Sequence, residues 1–312
     1  MKKIALLLAV LMLTIGLSSC TSYKKGDTTV LMTVGGAEVT HELYRFICLK
    51  NAAILASGQE DYFTGKDADA HLQELQSAVD RELRLYFAVE TLAKRYEVTL
   101  SKEDVDLIKD EIKETKKQSQ SKKEYYDGLE KLFMSENVFF EQAKNYYLER
   151  NLFYFVKDEK NGVILLSDDQ LRKDVAEHFF AAGQILLTGE GAEALAESLK
   201  KQLEDGADFY ALALEHSKDS IKDVRYFTYG EMQPYFEQAV KELQIGQVSE
   251  VIKSDLGWHL IKREQPDMDY VEKNLEIFRD TDLVRLYNEM LAKEAESLKI
   301  VCTDAYSGLI IE

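Results

Sequence analysis

Residues 227–262, FTYGEMQPYFEQAVKELQIGQVSEVIKSDLGWHLIK, place a helix and a strand pair within one short span. Pro234 suits a first helical turn, where its missing N–H would be unpaired in any case. Phe236, Ala239, Val240 and Leu243 recur at the three-and-four spacing of one apolar helix face. Val248 to Ile252 and Trp258 to Lys262 read as antiparallel strands around the turn Ser254-Asp255-Leu256-Gly257. Upstream, Gln184 to Thr188 is a short apolar strand, and Ala192 to Leu203 is a helix carrying Leu195, Leu199 and Leu203, with Gly206 as its stop. Asp208 caps a further short helix with Phe209, Leu212 and Ala213, and residues 217–225 read as a loop. The expected order is strand, three helices, two strands.

Around this module the chain is expected to be helical, since only two prolines interrupt it. Thr28 to Val39 reads as a hairpin turning at Gly35-Gly36, and Thr40 caps a helix reaching Gly58. Ala70 to Tyr96 is a long amphipathic helix, and Ser101 begins another with an acidic capping box. The polar run Lys113 to Glu124 reads either as a solvated helix end or loop, or as a basic ligand-contacting strip. Ser135 opens a helix through Val156 so rich in aromatics that it is either buried on two sides or a partly exposed lining for unfolded chains. Residues 157–163 read as a linker, and Ser167 caps a helix to about Phe180. Tyr270 to Leu298 reads as one long helix, after which Ile300-Val301-Cys302 and Leu309-Ile310-Ile311 add strands to the first hairpin.

The N-terminus has the form of an address. Lys2 and Lys3 precede the apolar run Ile4 to Leu17, and Leu17-Ser18-Ser19-Cys20 follows, the pattern of a bacterial lipoprotein signal with Cys20 as the acylated residue. The run falls short of the roughly 20 residues that span a bilayer. A plain secretory peptide is the alternative. The formal charge of −17 disfavours nucleic acid and anionic lipid surfaces as partners. Cys48 and Cys302 read either as an oxidised pair or as two buried thiols. His41, His71, His178, His216 and His259 show no metal-ligand spacing, so neither metal nor other cofactor is expected.

The segment 180–263 resembles the parvulin-type (PpiC) peptidyl-prolyl isomerases. Gly183-Gln184-Ile185-Leu186 matches the family's x-His-Ile-Leu, Phe209 its Phe after Gly-x-Asp, and Ser217-Lys218-Asp219 its Ser-x-Asp. Met232, Phe236, Gly246, Ser249, Gly257 and His259 stand at family positions. The layout of the whole chain resembles the PrsA-like extracytoplasmic foldases and, more distantly, the SurA-like periplasmic chaperones. The resemblance implies an α+β fold: a mainly helical chaperone domain, built from the N- and C-terminal segments together, with an inserted parvulin-like domain, a small antiparallel sheet surrounded by helices. It divides the chain into a signal at 1–19, a tether at 20–27, a helical domain at 28–165, the parvulin-like domain at 166–265 and a returning segment at 266–312.

It also implies a site. Met232 and Phe236 would hold a proline ring, His259 and Gln184 would form a polar floor, and Asp219 would lie near the substrate carbonyl. The same residues have plain readings, as core side chains at helical spacing, a satisfied strand histidine and a loop acid. Two departures bear on activity. The family's first-strand histidine is Gln184, and its glycine-rich loop is Lys222-Asp223-Val224-Arg225. These predict weak or absent isomerase activity with binding of unfolded or newly exported, X-Pro-containing polypeptide retained. The competing expectation is a non-catalytic surface lipoprotein that docks a secretion partner; the sequence leaves the oligomeric state open.

Overall fold

A computed structural model describes residues 26–221 and 223–307. The signal at 1–19, Cys20, Lys222 and the run Leu309-Ile310-Ile311 lie outside the described residues. The chain divides into two compact units, one of residues 1–163 with 287–312 and one of residues 164–286. No helix among the described residues is long and apolar enough to cross a membrane.

The first unit opens on the hairpin β1 (Val30–Val34) and β2 (Ala37–Thr40). Gly35 and Gly36 turn it at φ +59° and +89°, the left-handed region that glycine enters without steric cost. The C-terminal strand β7 (Ile300–Cys302) joins antiparallel to β1, pairing Met32 with Cys302 and Val34 with Ile300, so the sheet order is β2-β1-β7. The N-terminal hairpin and the C-terminal strand of the described chain therefore build one sheet. Cys48 is buried and Cys302 exposed, and the two thiols are unbridged.

Five helices follow the hairpin: α1 (His41–Ala56), α2 (Ala68–Arg95), α3 (Lys102–Gln118), α4 (Lys122–Lys131) and α5 (Glu136–Lys157). Their starts are set by local chemistry. Thr40 and Ser135 accept from Leu43 N and Val138 N, and Ser101 forms a reciprocal capping box with Asp104. The segment Lys113 to Glu124 is neither all loop nor one helix end: α3 runs to Gln118, and Ser121 then caps α4 by accepting from Glu124 N. Ile108 and Ile112 of α3, Tyr125 and Leu129 of α4, and Phe139, Ala143 and Tyr147 of α5 make one core. On α5, Tyr146 and Tyr154 stay exposed while Phe139, Tyr147, Leu152 and Val156 are buried. Glu42, 2% exposed, accepts from Ser135 Oγ at 2.7 Å and Asn137 Nδ2 at 2.6 Å, so its buried carboxyl group ties the start of α1 to the start of α5.

The second unit begins with α6 (Asp168–His178), capped by Ser167, and centres on a four-stranded antiparallel sheet. Its strands are β3 (Phe180–Leu187), β4 (Arg225–Phe227), β5 (Ile252–Ser254) and β6 (Gly257–Glu264), in the order β4-β3-β6-β5. β3 starts four residues before the expected strand, and β4 begins on Arg225, the last residue of the expected loop at 217–225. Phe180, Ala181 and Ala182 pair with Phe227, Tyr226 and Arg225, so β4 exists because β3 offers it an edge. The strand pair around Ser254–Gly257 is also shorter than expected on its first arm, where Val248 makes only an isolated bridge to Lys262.

Because side chains alternate across a strand, the sheet has two apolar faces. Ile185, Leu187 and Leu260 pack against Ala196 and Leu199 of α7 (Ala192–Glu204) and Phe209, Leu212 and Ala213 of α8 (Phe209–His216). Ala182, Ile261 and Phe227 pack against Phe236, Ala239 and Val240 of α9 (Pro234–Glu242). The expected helix from Tyr270 is broken at Asn274, whose φ of −127° and ψ of 25° separate α10 (Met268–Lys273) from α11 (Leu275–Ser297). Within this unit, Arg285 of α11 lies between Asp282 at 2.6 Å and Asp174 of α6 at 3.1 Å. The short α12 (Asp304–Ser307) closes the described chain.

Gly257 starts β6 at φ +143°, and a Cβ there would run into the Leu187 carbonyl oxygen of β3. Gly257→Ala is expected to cost about 2–3 kcal/mol through backbone strain and lost strand approach. Urea unfolding of the full chain, followed in the second unit by hydrogen exchange of β3 and β6 amides, measures it.

Candidate functional site

The strand register brings the key polar residues together. Leu186 pairs with His259 and Gln184 with Ile261, so Gln184 and His259 are diagonal neighbours on the sheet face that α9 covers. His259 is 0% exposed and Gln184 8%. His259 Nδ1 lies 3.2 Å from Gln184 Oε1, and His259 Nε2 lies 2.6 Å from Ser254 Oγ. Gln184 Nε2 donates to Asp219 Oδ2 at 2.5 Å, and Arg225 pairs with the same oxygen at 2.5 Å. Asp219 Oδ1 accepts from Ile221 N at 3.1 Å.

Partner chemistry fixes the proton positions. Arg225 keeps Asp219 an acceptor, so the Gln184 amide nitrogen must face the carboxylate and its oxygen must face His259. His259 then carries its proton on Nδ1, and its Nε2 accepts from the Ser254 hydroxyl. The run is directional: Ser254 gives to His259, His259 to Gln184, and Gln184 to Asp219. Ser254 Oγ in turn accepts from Leu256 N at 3.1 Å.

Charge within this run is held apart from the imidazole. Burial pushes the His259 pKa below its ordinary 6.5, with the Asp219 charge pulling the other way. Burial also opposes ionisation of Asp219, but hydrogen bonds from Ile221 N, Arg225 and Gln184 outweigh it and hold the carboxyl below 3.8. His259 is therefore a neutral imidazole at neutral pH, and Asp219 an anion whose charge is met by Arg225.

This has a consequence for acid stability. A folded-state pKa below the unfolded 6.5 means that, as pH falls, the unfolded chain takes the proton first. The stability from neutral His259 is complete above that value and is lost as pH falls from it through the depressed folded value. Asp219, also depressed, loses its contribution only below about 3.8. Thermal unfolding between about pH 7.5 and 5 is expected to lower the wild-type midpoint more than that of His259→Gln.

The apolar half of the site is built by α9. Tyr235 lies over His259 with ring centroids 4.6 Å apart, and burial raises its phenol pKa. Phe236, 1% exposed, packs against Phe227 with ring centroids 5.5 Å apart, which places its ring in the core behind the site. Met232 stands half-buried at the edge of that cluster. Buried Glu237 holds the preceding turn by accepting from Gly230 N and Met232 N, each at 2.8 Å.

On the other side of the network, Ser217 Oγ accepts from Leu186 N at 3.0 Å and Asp219 N at 3.2 Å, and Lys218 N donates to Leu186 O at 2.7 Å. This docks the 217–219 loop on the free part of the β3 edge. Exposed Ile221 and Leu256 stand next to the two ends of the polar run. His178 is exposed, and His216 lies at the end of α8; neither joins the network.

Sequence reasoning brought Gln184, His259 and Asp219 to one place and missed three partners. In the sequence Ser254 signals only a turn and Arg225 only part of a replaced loop. Tyr235, between Pro234 and Phe236, carries no signal of its own beside neighbours that mark the helix. The one available clue was the opposite charge of Asp219 and Arg225 within one loop.

A rotamase family, the PPIC-type PPIASE domain, matches residues 170–265. The chain is similar to the foldase protein PrsA of Caldanaerobacter subterraneus subsp. tengcongensis, 30% identical over 286 residues that cover 84% of this chain and 82% of that protein. A stretch of 95 residues is 36% identical to the chaperone SurA of Saccharophagus degradans, covering 29% of this chain and 22% of that one. The crystal structure of PrsA from Bacillus subtilis aligns with 87% of this chain and 93% of its own at 21% identity, with a TM-score of 0.31.

Proposed function

The chain belongs to the PrsA foldase family, and we propose that it is a lipid-anchored foldase outside the cytoplasm that binds newly exported polypeptide, with a rotamase domain of weak or absent activity. Similarity to a foldase over both units supports polypeptide as the substrate. The pattern Lys2-Lys3, Ile4 to Leu17 and Leu17-Ser18-Ser19-Cys20 supports export and acylation at Cys20.

The chemistry asked of a rotamase is conformational. Amide resonance sets a barrier of roughly 18–20 kcal/mol to peptide rotation, and uncatalysed X-Pro exchange takes tens of seconds or more. A catalyst forms no bond to the substrate; it binds the twisted amide better than the planar one. In this reading Met232 and Tyr235 contact the proline ring, with Phe236 behind them, and Ile221 and Leu256 line the approach. His259 and Gln184 form the polar floor, and Asp219 acts by holding Gln184 rather than by meeting the substrate, since both its oxygens are engaged.

One observation carries the assignment of weak activity: Gln184 is locked between His259 and Asp219 with its donor and acceptor ends fixed. An imidazole there could exchange donor for acceptor by moving one proton; an amide has no such tautomer.

Two assays of the purified chain test the proposal. Protease-coupled isomerisation of a short Ala-Pro peptide is expected to run little above the uncatalysed rate, while aggregation of an unfolded client is delayed at equimolar chain. Isomerisation at the rate of a two-histidine parvulin, abolished by His259→Ala, would overturn the weak-catalyst part. Failure to delay aggregation would favour the docking lipoprotein instead. For the anchor, fatty-acid labelling in the cell is expected to be lost in Cys20→Ala.

A further inference from the structure

On a chain of formal charge −17, one helix face of the first unit concentrates lysine. Lys109, Lys113 and Lys116 succeed one another at four and three residues along α3, the spacing that puts side chains on one side of a helix. All three are exposed, and they line a groove of about 530 Å³. Its floor is apolar: Ile112, 8% exposed, comes from the same helix and half-buried Phe140 from α5. Ile112 belongs to the core of α3, α4 and α5 and Phe140 packs against that core, which gives the floor a fixed shape.

The positive charge is only partly met from within. Lys116 pairs with Glu136 at 2.7 Å, and Lys109 reaches Asp106 at a loose 3.9 Å. Lys113, between them, makes no ion pair among the described residues. Solubility does not require this row, because 56 acids against 39 bases already keep the chain strongly charged. Glu136, paired with Lys116, and Asn137 complete the lining; the lysine row beside them, over an apolar floor, is complementary to a segment that carries carboxylates and large apolar side chains together.

We propose that this groove binds acidic, apolar segments of unfolded polypeptide. Glu or Asp side chains of the segment meet Lys109 and Lys113, and a Leu or Phe side chain fills the floor over Ile112 and Phe140. The inference rests on the foldase reading above and names the kind of client segment that the helical unit prefers. The groove also offers local attraction to acidic chains that the overall negative field would otherwise repel.

Fluorescence anisotropy with the full mature chain tests this. The probe is a short labelled peptide alternating Glu with Leu and Phe, set against its Glu→Gln counterpart, with inorganic polyphosphate as competitor. The acidic peptide is expected to bind about fivefold more tightly, the scale of two exposed ion pairs. The advantage should shrink as salt rises from about 50 to about 300 mM. The double variant Lys109→Gln/Lys113→Gln should abolish the advantage and leave binding of the neutral peptide and the thermal melt unchanged. Equal affinity for the two peptides, or an advantage that survives the double variant, overturns the proposal. Displacement by polyphosphate at concentrations matched in charge overturns it in favour of a phosphate polymer, which needs no apolar floor. Delay of client aggregation without acidic preference would sink the groove alone; no delay and no binding of either peptide would sink the foldase reading with it.

Discussion

Phe236→Ala is expected to destabilise the second unit by about 3–5 kcal/mol, the range for deleting a fully buried aromatic side chain. The ring is 1% exposed and lies between α9 and the sheet, with Phe227 at 5.5 Å and Ala182, Val240 and Ile261 around it. Collapse into the space is hindered because two of those neighbours sit on β3 and β6, the central strands, whose seven-pair register fixes their separation. Domains are stable by only about 5–15 kcal/mol, so the variant would stand near the threshold of folding. The loss also reaches the site. α9 carries Tyr235, which covers His259, and Glu237, which holds the Met232 turn. Limited proteolysis and hydrogen exchange should show opening confined to residues 164–286. Phe236→Leu, which keeps most of the volume, should cost about 1–2 kcal/mol. A loss below about 1 kcal/mol for the alanine variant would mean that the ring is not packed as described.

What could be read in advance follows the range of the forces involved. The face Phe236, Ala239, Val240 on α9 was legible because one helix displays its own period, and the caps Thr40, Ser101, Ser135, Ser167 and Asp208 because a cap bonds only two or three residues ahead. β4 was not, since three residues have no measurable period and its partner lies more than forty residues earlier. The α3–α4 break was hidden in a run of Lys, Glu, Gln and Ser that favours helix and water alike; only Ser121 marks it. Asn274 likewise interrupts an apolar pattern that continues on both sides of it.

The site divides in the same way. Gln184 and His259 could be brought together from motif positions, but their polarity could not: which end of the amide faces the imidazole depends on Arg225, and the amide oxygen so placed puts the His259 proton on Nδ1 and leaves Nε2 to accept from Ser254. Those are contacts between segments that the folded sheet alone brings near. The same holds for Phe236, whose place at helical spacing left open whether its ring faced a ligand or the core.

Gln184→His is the substitution expected to change activity most, raising isomerisation of an Ala-Pro peptide about tenfold, or about 1.4 kcal/mol of barrier. In the native chain the hydrogen bonds run one way, from Ser254 through His259 and Gln184 to Asp219. Reversing the amide would set its NH2 against the protonated Nδ1 and its oxygen against a carboxylate, so the floor has one polarity only. An imidazole at 184 can donate to Asp219 and accept from His259, as the amide does. It can also shift its proton when the substrate amide twists and its carbonyl changes orientation. The gain should appear in kcat rather than KM, because in the proposed site the proline ring is held by residues other than the one changed. In the Gln184→His background, His259→Ala should return the rate to background, whereas in the native chain it should change little. The carboxylate sets a further condition. Arg225 must still hold Asp219 ionised, so Gln184→His/Arg225→Leu should forfeit the gain while leaving client binding by the helical unit intact. A rate that does not rise in Gln184→His would place the deficit in the loop 222–225 instead, where the family's glycines are absent.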